Sequence, residues 1–383
     1  MLGAHTANLP GGLQMFTHRL GRRVLGATLL LWFSGCEKDD GPLCDRLAPQ
    51  LQDALEEAAS AGDLPGVTAS LRLQDCAWRG SAGVSRVEPA TGMKVEDRLR
   101  VGSITKSFVA VVALQLQAEG RLSLDAPLAT WVPDFPRADR ISVRQLLNHT
   151  SGAFNYTQSQ DFLAQVEASP GKTWTSEELI AYGAAKSPSF EPGARWEYSN
   201  TNYILLGHIL ESVTGTPLAQ QLRARILEPL DLDSTGLDGA EPLPPLAARG
   251  YSRDPGDGAW RDFTDFIHPS AAGGAGALVS SADDLSAFYQ ALFERSLLAP
   301  AQLAEMTDWV ATPIPTLPGY GLGLVRAVTP VGAGHGHDGE IPGFSALAFY
   351  LPERKASLAV LTNRERADVS AVTGRLLEVL ARE

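Results

Sequence analysis

Residues 345–362 read Ser-Ala-Leu-Ala-Phe-Tyr-Leu-Pro-Glu-Arg-Lys-Ala-Ser-Leu-Ala-Val-Leu-Thr. Two apolar runs, 345–350 and 357–362, flank a Pro352-Glu353-Arg354 turn, which is the pattern of two strands joined by a hairpin. Just upstream, residues 321–325 carry a further short strand pattern. Downstream, Val369, Val372, Leu376 and Leu380 recur at helical spacing and mark a final helix. The other end of the chain mirrors this. Leu47, Leu51, Leu55 and Ala58 predict an amphipathic helix over 45–61, and residues 66–74 and 78–87 read as strands. Between the two ends, from 103 to about 315, the signals are mostly helical and broken by Gly/Pro loops, with the Pro/Ala/Gly stretch at 240–250 read as a loop. Strands from both ends most simply form one antiparallel sheet covered by the two terminal helices. The expected fold class is therefore mixed α/β (α+β), with a sheet subdomain at 45–102 and 316–383 and an inserted, mainly helical subdomain at 103–315.

Composition narrows the function. With 383 residues, 44% hydrophobic and 20% charged, the chain is long enough for a substantial core and is not of disordered composition. Thirty-two basic against 44 acidic residues give a net charge of −12, which argues against a nucleic-acid partner. No apolar run reaches the roughly 18–20 residues of a membrane span, which excludes a multi-pass protein. Arg19, Arg22 and Arg23 precede the apolar run 24–33 and then Ser34-Gly35-Cys36, the layout of an export signal over residues 1–35. The cysteine after Ser34-Gly35 resembles a lipobox, although Phe33 stands where an aliphatic is usual. Lipidation at Cys36, a polar tether over 36–44 and an exported lipoprotein anchored to the membrane are the expectation. Loss of 1–35 leaves 29 basic and 44 acidic residues, a net −15. Cys44 and Cys76 then remain as a pair, which in an oxidising compartment suggests a disulfide from the first helix to an early strand.

The chemistry begins at Ser103-Ile104-Thr105-Lys106. Gly102 ends a polar loop and Ser103 opens the helical pattern Phe108, Val109, Val112, Leu116. Ser103 and Lys106 therefore share a face, one turn apart. A serine hydroxyl is too weakly acidic to attack a carbonyl unaided, and a lysine with a pKa lowered by burial can take its proton. Ser-x-x-Lys alone is a weak signal; a second instance, Ser169-Pro170-Gly171-Lys172, contains a helix-breaking Pro-Gly and reads as a loop. Two further elements accompany the first instance. Tyr198-Ser199-Asn200 precedes a helical run at 203–213, and a phenol near a lysine can carry a proton as phenol or phenolate. Gly336-His337-Asp338-Gly339 falls just before a strand that starts near Phe344.

Ser-x-x-Lys, Tyr-x-Asn and His-x-Gly in that order resemble the active-site set of class C β-lactamases and the related D-alanyl-D-alanine carboxypeptidases and esterases. Leu146-Leu147-Asn148-His149-Thr150-Ser151-Gly152, residues 198–207, Ala272-Gly273-Gly274 with residues 280–285, and residues 336–344 extend the resemblance over roughly 45–383. It implies a β-lactamase/transpeptidase-like fold and a serine hydrolase without a cofactor. Ser103 would be the acylated nucleophile, Lys106 its base and Tyr198 the proton shuttle. Asn200 would position the acyl side of the substrate, with His337 and Gly339 beside it. The backbone N–H groups of Ser103 and Glu340 would form the oxyanion hole. One departure bears on the substrate. Where Lys-Thr-Gly would offer a cation and a hydroxyl to a substrate carboxylate, this chain has His337-Asp338. Histidine near its usual pKa of about 6.5 is mostly neutral at pH 7, and aspartate is anionic. An Asp338 that faces the cleft would repel a carboxylate, which favours an ester, an amide or an amine-bearing substrate over a β-lactam or a D-Ala-D-Ala peptide; one that points along the strand would have no influence.

Other candidates read as structural. His335, His337 and Asp338 lack a companion ligand set, so no metal is expected. His149 reads as a hydrogen-bonded structural histidine, His208 as buried packing, and Asp283-Asp284 after Ser281 as a capped helix start. Trp131, Trp174, Trp196, Trp260 and Trp309 are candidates for the cleft lining. The glycines at 273–276 follow no strand of a βαβ unit, which rejects nucleotide binding. The expectation is a hydrolase of a small ester or amide. Its rivals are a β-lactamase or D,D-carboxypeptidase and a non-turning penicillin-binding or peptidoglycan-sensing module.

Overall fold

The computed structural model describes residues 43–382 except Asp75, Arg295 and Ser296. The expected signal segment, Cys36 and most of the tether lie outside the described residues. In chain order the elements that build the site are α1 (Leu43–Ala61), β1 (Gly66–Leu73), β2 (Cys76–Arg86), β3 (Thr91–Gly92), α2 (Thr105–Ala118), α3 (Thr201–Thr214), α4 (Ala282–Glu294), β4 (Val310–Ile314), β5 (Leu317–Tyr320), β6 (Val325–Thr329), β7 (Gly332–Ile341), β8 (Phe344–Leu351), β9 (Ala356–Thr362) and α5 (Val369–Leu380). The nine strands form one sheet in the order β3-β2-β1-β9-β8-β7-β6-β5-β4, antiparallel throughout. The join between chain ends is the β1–β9 pair, with Val67 opposite Thr362 and Leu73 opposite Ala356.

Period two divides the central strands between two cores. Leu347, Phe349, Leu351, Leu358 and Val360 pack with Val67, Ala69 and Leu71 beneath α1 and α5. Leu47, Leu51 and Leu55 of α1 are fully buried there, each worth about 2 kcal/mol of transfer free energy. Ala346, Ala348, Ala359 and Leu361 face the other way, into the core of the helical region. At the centre of that core lies α2, buried at every position from Thr105 to Leu114, as a helix apolar on all sides must be. A disulfide joins Cys44 of α1 to Cys76 at the start of β2, as anticipated.

Four expectations need correction. The strand placed at 321–325 is instead the turn between β5 and β6: Gly321 N–H donates to Leu324 O, and Gly323 has φ +74°. A Cβ on Gly323 would lie 2.6 Å from the Ala110 Cβ, so this turn is pressed against α2. The sheet also begins earlier than 316, at Val310, so β4 belongs to it and not to the helical insertion. Residues 336–339 do not precede a strand but lie inside β7. Alternation is hidden there by glycine, which the close backbone packing demands: a Cβ on Gly336 would sit 2.1 Å from the Ala348 carbonyl oxygen. Leu43 and Cys44, expected in the tether, lie in α1, which starts at Leu43.

Candidate active site

Gly102–Ile104 is a 3-10 turn that runs directly into α2. Gly102 has φ +51°, a backbone region that favours glycine. The turn holds Ser103 at the cleft and Lys106, one turn on, fully buried. Lys106 Nζ lies 2.9 Å from Ser103 Oγ, 2.9 Å from Asn200 Oδ1 and 2.6 Å from the Ala275 carbonyl oxygen. Among the described residues no carboxylate forms an ion pair with it. Burial therefore holds the Lys106 pKa well below the usual lysine value, opposed only by the more distant charge of Asp338. A neutral amine has two hydrogens and one lone pair. The two carbonyl oxygens, acceptors only, take the hydrogens, and the lone pair is left for the Ser103 hydroxyl.

Tyr198 OH donates to Ser103 Oγ at 2.7 Å. Burial raises the Tyr198 pKa well above its ordinary value, with the bond to Ser103 opposing. Of the two forms the sequence allowed, this environment selects the phenol. Lys106 Nζ and Tyr198 OH thus converge on Ser103 Oγ within hydrogen-bond reach, from two separate segments of chain.

The remaining site residues fall into two groups. Asn200 is at the centre: Oδ1 accepts from Lys106, and one Nδ2 hydrogen is donated to Thr157 Oγ1 at 3.4 Å. The β7–β8 hairpin closes on Pro342-Gly343, so Ile341 and Phe344 exchange hydrogen bonds while the next pair, Glu340 and Ser345, does not. The Glu340 N–H consequently points away from β8. A Cβ on Gly102 would sit 2.7 Å from Glu340 N, and one on Gly339 would sit 3.2 Å from Ser103 N and 1.9 Å from the Val101 carbonyl oxygen. The two N–H groups expected to hold an oxyanion are neighbours, brought together because both positions lack side chains.

His337 is where the sequence expectation fails. Its side chain is 2% exposed and lies beneath β7, with Nε2 3.0 Å from Tyr320 OH and Nδ1 2.5 Å from the Asp338 carbonyl oxygen. It is spent on protein and does not reach substrate. Asp338, the next residue, has a side chain 56% exposed, with Oδ1 3.6 Å from His337 Nδ1, and its charge acts on Lys106, Tyr198 and Tyr320. The Glu340 carboxylate is 3.7 Å from Arg366 Nε; burial raises its pKa and Arg366 opposes this.

Sequence reasoning missed Tyr320, Thr157 and the Ala275 carbonyl, none of which belongs to a short motif. His149 is buried and hydrogen-bonded, as anticipated. His208 is not core packing; it is half-buried, with Nδ1 3.5 Å from Glu177 Oε1. Of the five tryptophans, Trp196 comes nearest the site, with its ring 5.9 Å from Tyr320 and 6.3 Å from His149, whereas Trp174 packs on Phe162 and Tyr182, and Trp309 on His335. Asp284 N donates to Ser281 Oγ, the expected helix start of α4. No group of three or more metal-ligating side chains occurs among the described residues.

A family model described as Beta-lactamase matches residues 51–383. The chain belongs to the beta-lactamase family. It is a serine hydrolase of mixed α/β fold by that membership. D-stereospecific amidohydrolase from Streptomyces sp. superimposes with a TM-score of 0.76 at 40% identity, over 85% of this chain and 97% of that one. D-amino acid amidase from Ochrobactrum anthropi SV3 does so with a TM-score of 0.81 at 30% identity, over 88% and 99%. Esterase EstB of Burkholderia gladioli is 31% identical over 75% of this chain and 82% of its own length. The chain spans 66–82% of the length of the first curated relatives it matches. The family member described here thus combines the expected Ser103, Lys106 and Tyr198 arrangement with His337-Asp338 in its third motif.

Proposed function

We propose that this beta-lactamase family member hydrolyses small amides and esters whose acyl part bears a free ammonium group, D-amino acid amides first among them. The observation that carries this reading is Asp338, an exposed carboxylate whose charge is felt at Lys106 and Tyr198. It disfavours a substrate carboxylate and favours an ammonium. Neighbours that act on D-amino acid derivatives support the reading.

In the proposed cycle neutral Lys106 takes the Ser103 proton as Oγ attacks the acyl carbon. The oxyanion accepts hydrogen bonds from the Ser103 and Glu340 N–H groups, donors of a kind worth roughly 3–4 kcal/mol each. The Lys106 proton passes by way of the Tyr198 hydroxyl to the leaving amine, the C–N bond breaks, and the acyl group remains on Ser103. Water then attacks the ester, surrenders a proton along the same path, and leaves the acid and a regenerated serine. The N-terminal pattern adds an exported protein held to a membrane by lipid on Cys36, and the Cys44–Cys76 disulfide suits an oxidising compartment.

The test compares kcat/KM for D-phenylalanine amide, its N-acetyl derivative, nitrocefin and a D-Ala-D-Ala peptide. The free amine is expected to be preferred over its acetylated form, and Asp338→Asn to reduce that preference about two- to fivefold, as befits a partly exposed charge pair. Equal rates on both amides in the parent protein would reject the ammonium subsite; faster turnover of nitrocefin or the peptide would favour a β-lactamase or carboxypeptidase.

A further inference from the structure

We infer that His149, Tyr320 and His337 form a neutral hydrogen-bond chain that positions Tyr198 and strand β7 around Ser103. The argument starts from the two ends. The Asp338 carbonyl oxygen can only accept, so His337 Nδ1, 2.5 Å away, carries a hydrogen. In a neutral imidazole Nε2 is then the acceptor, and Tyr320 OH donates to it at 3.0 Å. The Tyr320 oxygen is left to accept from His149 Nε2–H at 3.2 Å. From the other end, His149 Nδ1 receives the Ser199 backbone N–H at 3.2 Å and Asn202 Nδ2 at 3.0 Å. Asn202 is oriented by its own oxygen, which accepts from Ser151 Oγ at 2.6 Å. His149 Nδ1 is therefore bare and Nε2 protonated. The two readings, made from opposite ends, meet at Tyr320 and agree.

The chain ties together the elements that carry the chemistry. Ser199 is the residue after Tyr198, and the His149 ring lies against the Tyr198 ring with centroids 4.3 Å apart. Asp338 lies two residues before Glu340, whose N–H faces the Ser103 turn. The chain thus spans from the phenol to the strand that bounds the oxyanion position. None of its three members hydrogen-bonds to Ser103, so they are positioning residues.

An added proton has no place in it. On His149 Nδ1 it would face two donors; on His337 Nε2 it would oppose the Tyr320 hydroxyl. The groups around the chain are Lys106, Tyr198, Tyr203, Trp196 and Asp338, of which Asp338 is the one carboxylate. Burial pushes His149 well below the usual histidine range. Burial pushes His337 down to about 4 against the opposing charge of Asp338.

The first test is spectroscopic and independent of the substrate assignment. In the full chain labelled with 15N-histidine and titrated from pH 5 to 8, one non-titrating imidazole is expected as the Nδ1–H tautomer, His337, and another as the Nε2–H tautomer, His149. Tyr320→Phe is expected to perturb both signals. Absence of a non-titrating Nδ1–H imidazole, or indifference of these signals to Tyr320→Phe, would overturn the inference. The second test rests on the acyl-transfer reading. Tyr320→Phe is expected to lower kcat about tenfold with KM changed less than about twofold, and to move the acid limb of the kcat profile up by about one pH unit, because His337 Nε2 loses the hydroxyl that donates to it. A folded variant with an unchanged kcat and acid limb would contradict the inference; if Tyr320→Phe does not fold, the parent spectra decide it alone.

Discussion

The chain contains the Ser-x-x-Lys spacing twice, and the two copies have opposite fates. At Ser103–Lys106 a 3-10 turn feeds a buried helix, the lysine nitrogen sits 2.9 Å from the hydroxyl, and its other partners are carbonyl oxygens. At Ser169–Lys172 the serine ends a helix at residue 168 and Pro170-Gly171 turns the chain. Lys172 Nζ pairs with Glu178 at 2.8 Å and lies over the Trp174 ring at 4.1 Å. The difference is not the spacing but the surroundings. A helical turn aims one side chain at the other, and a dry site without a carboxylate makes the amine give up its charge. Lys172, by contrast, is paired with a carboxylate.

The largest expected effect separates the two serines. Ser103→Ala should lower kcat/KM on a p-nitrophenyl ester by about 10⁴-fold or more, whereas Ser169→Ala should stay within about twofold. The next separates the lysines: Lys106→Met should cost about 10³-fold with the fold retained by circular dichroism. Gly339→Ala should follow at about 10²-fold, because a Cβ placed 1.9 Å from the Val101 oxygen must displace β7 from Ser103; kinetics on the folded variant check it. A pH series comes fourth. The His337 pKa is about 4 in the folded protein and about 6.5 when unfolded. The unfolded chain thus binds the extra proton first, so stability is full above pH about 6.5 and falls as pH drops towards about 4. Urea unfolding at pH 7, 5.5 and 4.5 reads that slope, which His337→Asn should flatten. The smallest effect is at the second copy. Lys172→Met should change stability by less than about 1 kcal/mol. Glu178→Gln, which frees Lys172 of its carboxylate, should restore no activity to Ser103→Ala.

What was legible in the sequence follows from how local the signal is. Terminal helices announce themselves by Leu47, Leu51, Leu55 and by Val372, Leu376, Leu380, one face each. The Ser103–Lys106 pair is local, since four residues on a helix fix their own geometry. Tyr198 came from its motif and resemblance, not from geometry. The strand β7 was hidden because Gly332, Gly334, Gly336 and Gly339 remove the side-chain alternation that marks a strand, and glycine is there for contacts with Phe349, Ala348 and Val101 that only the fold supplies. The facing of His337 was hidden for the same reason, since a strand of unknown register does not reveal which residues turn inward. Tyr320 stands alone in sequence and acquires its role only between two histidines from distant segments.

The most direct test of the central contrast is to map the covalent intermediate. The protein is quenched in acid during turnover of a slowly released p-nitrophenyl ester and digested, and the acylated peptide is sequenced by mass spectrometry. One acyl group on Ser103, absent in Ser103→Ala and never on Ser169, is the expected result. An adduct on another residue, or undiminished turnover by Ser103→Ala, would contradict the account.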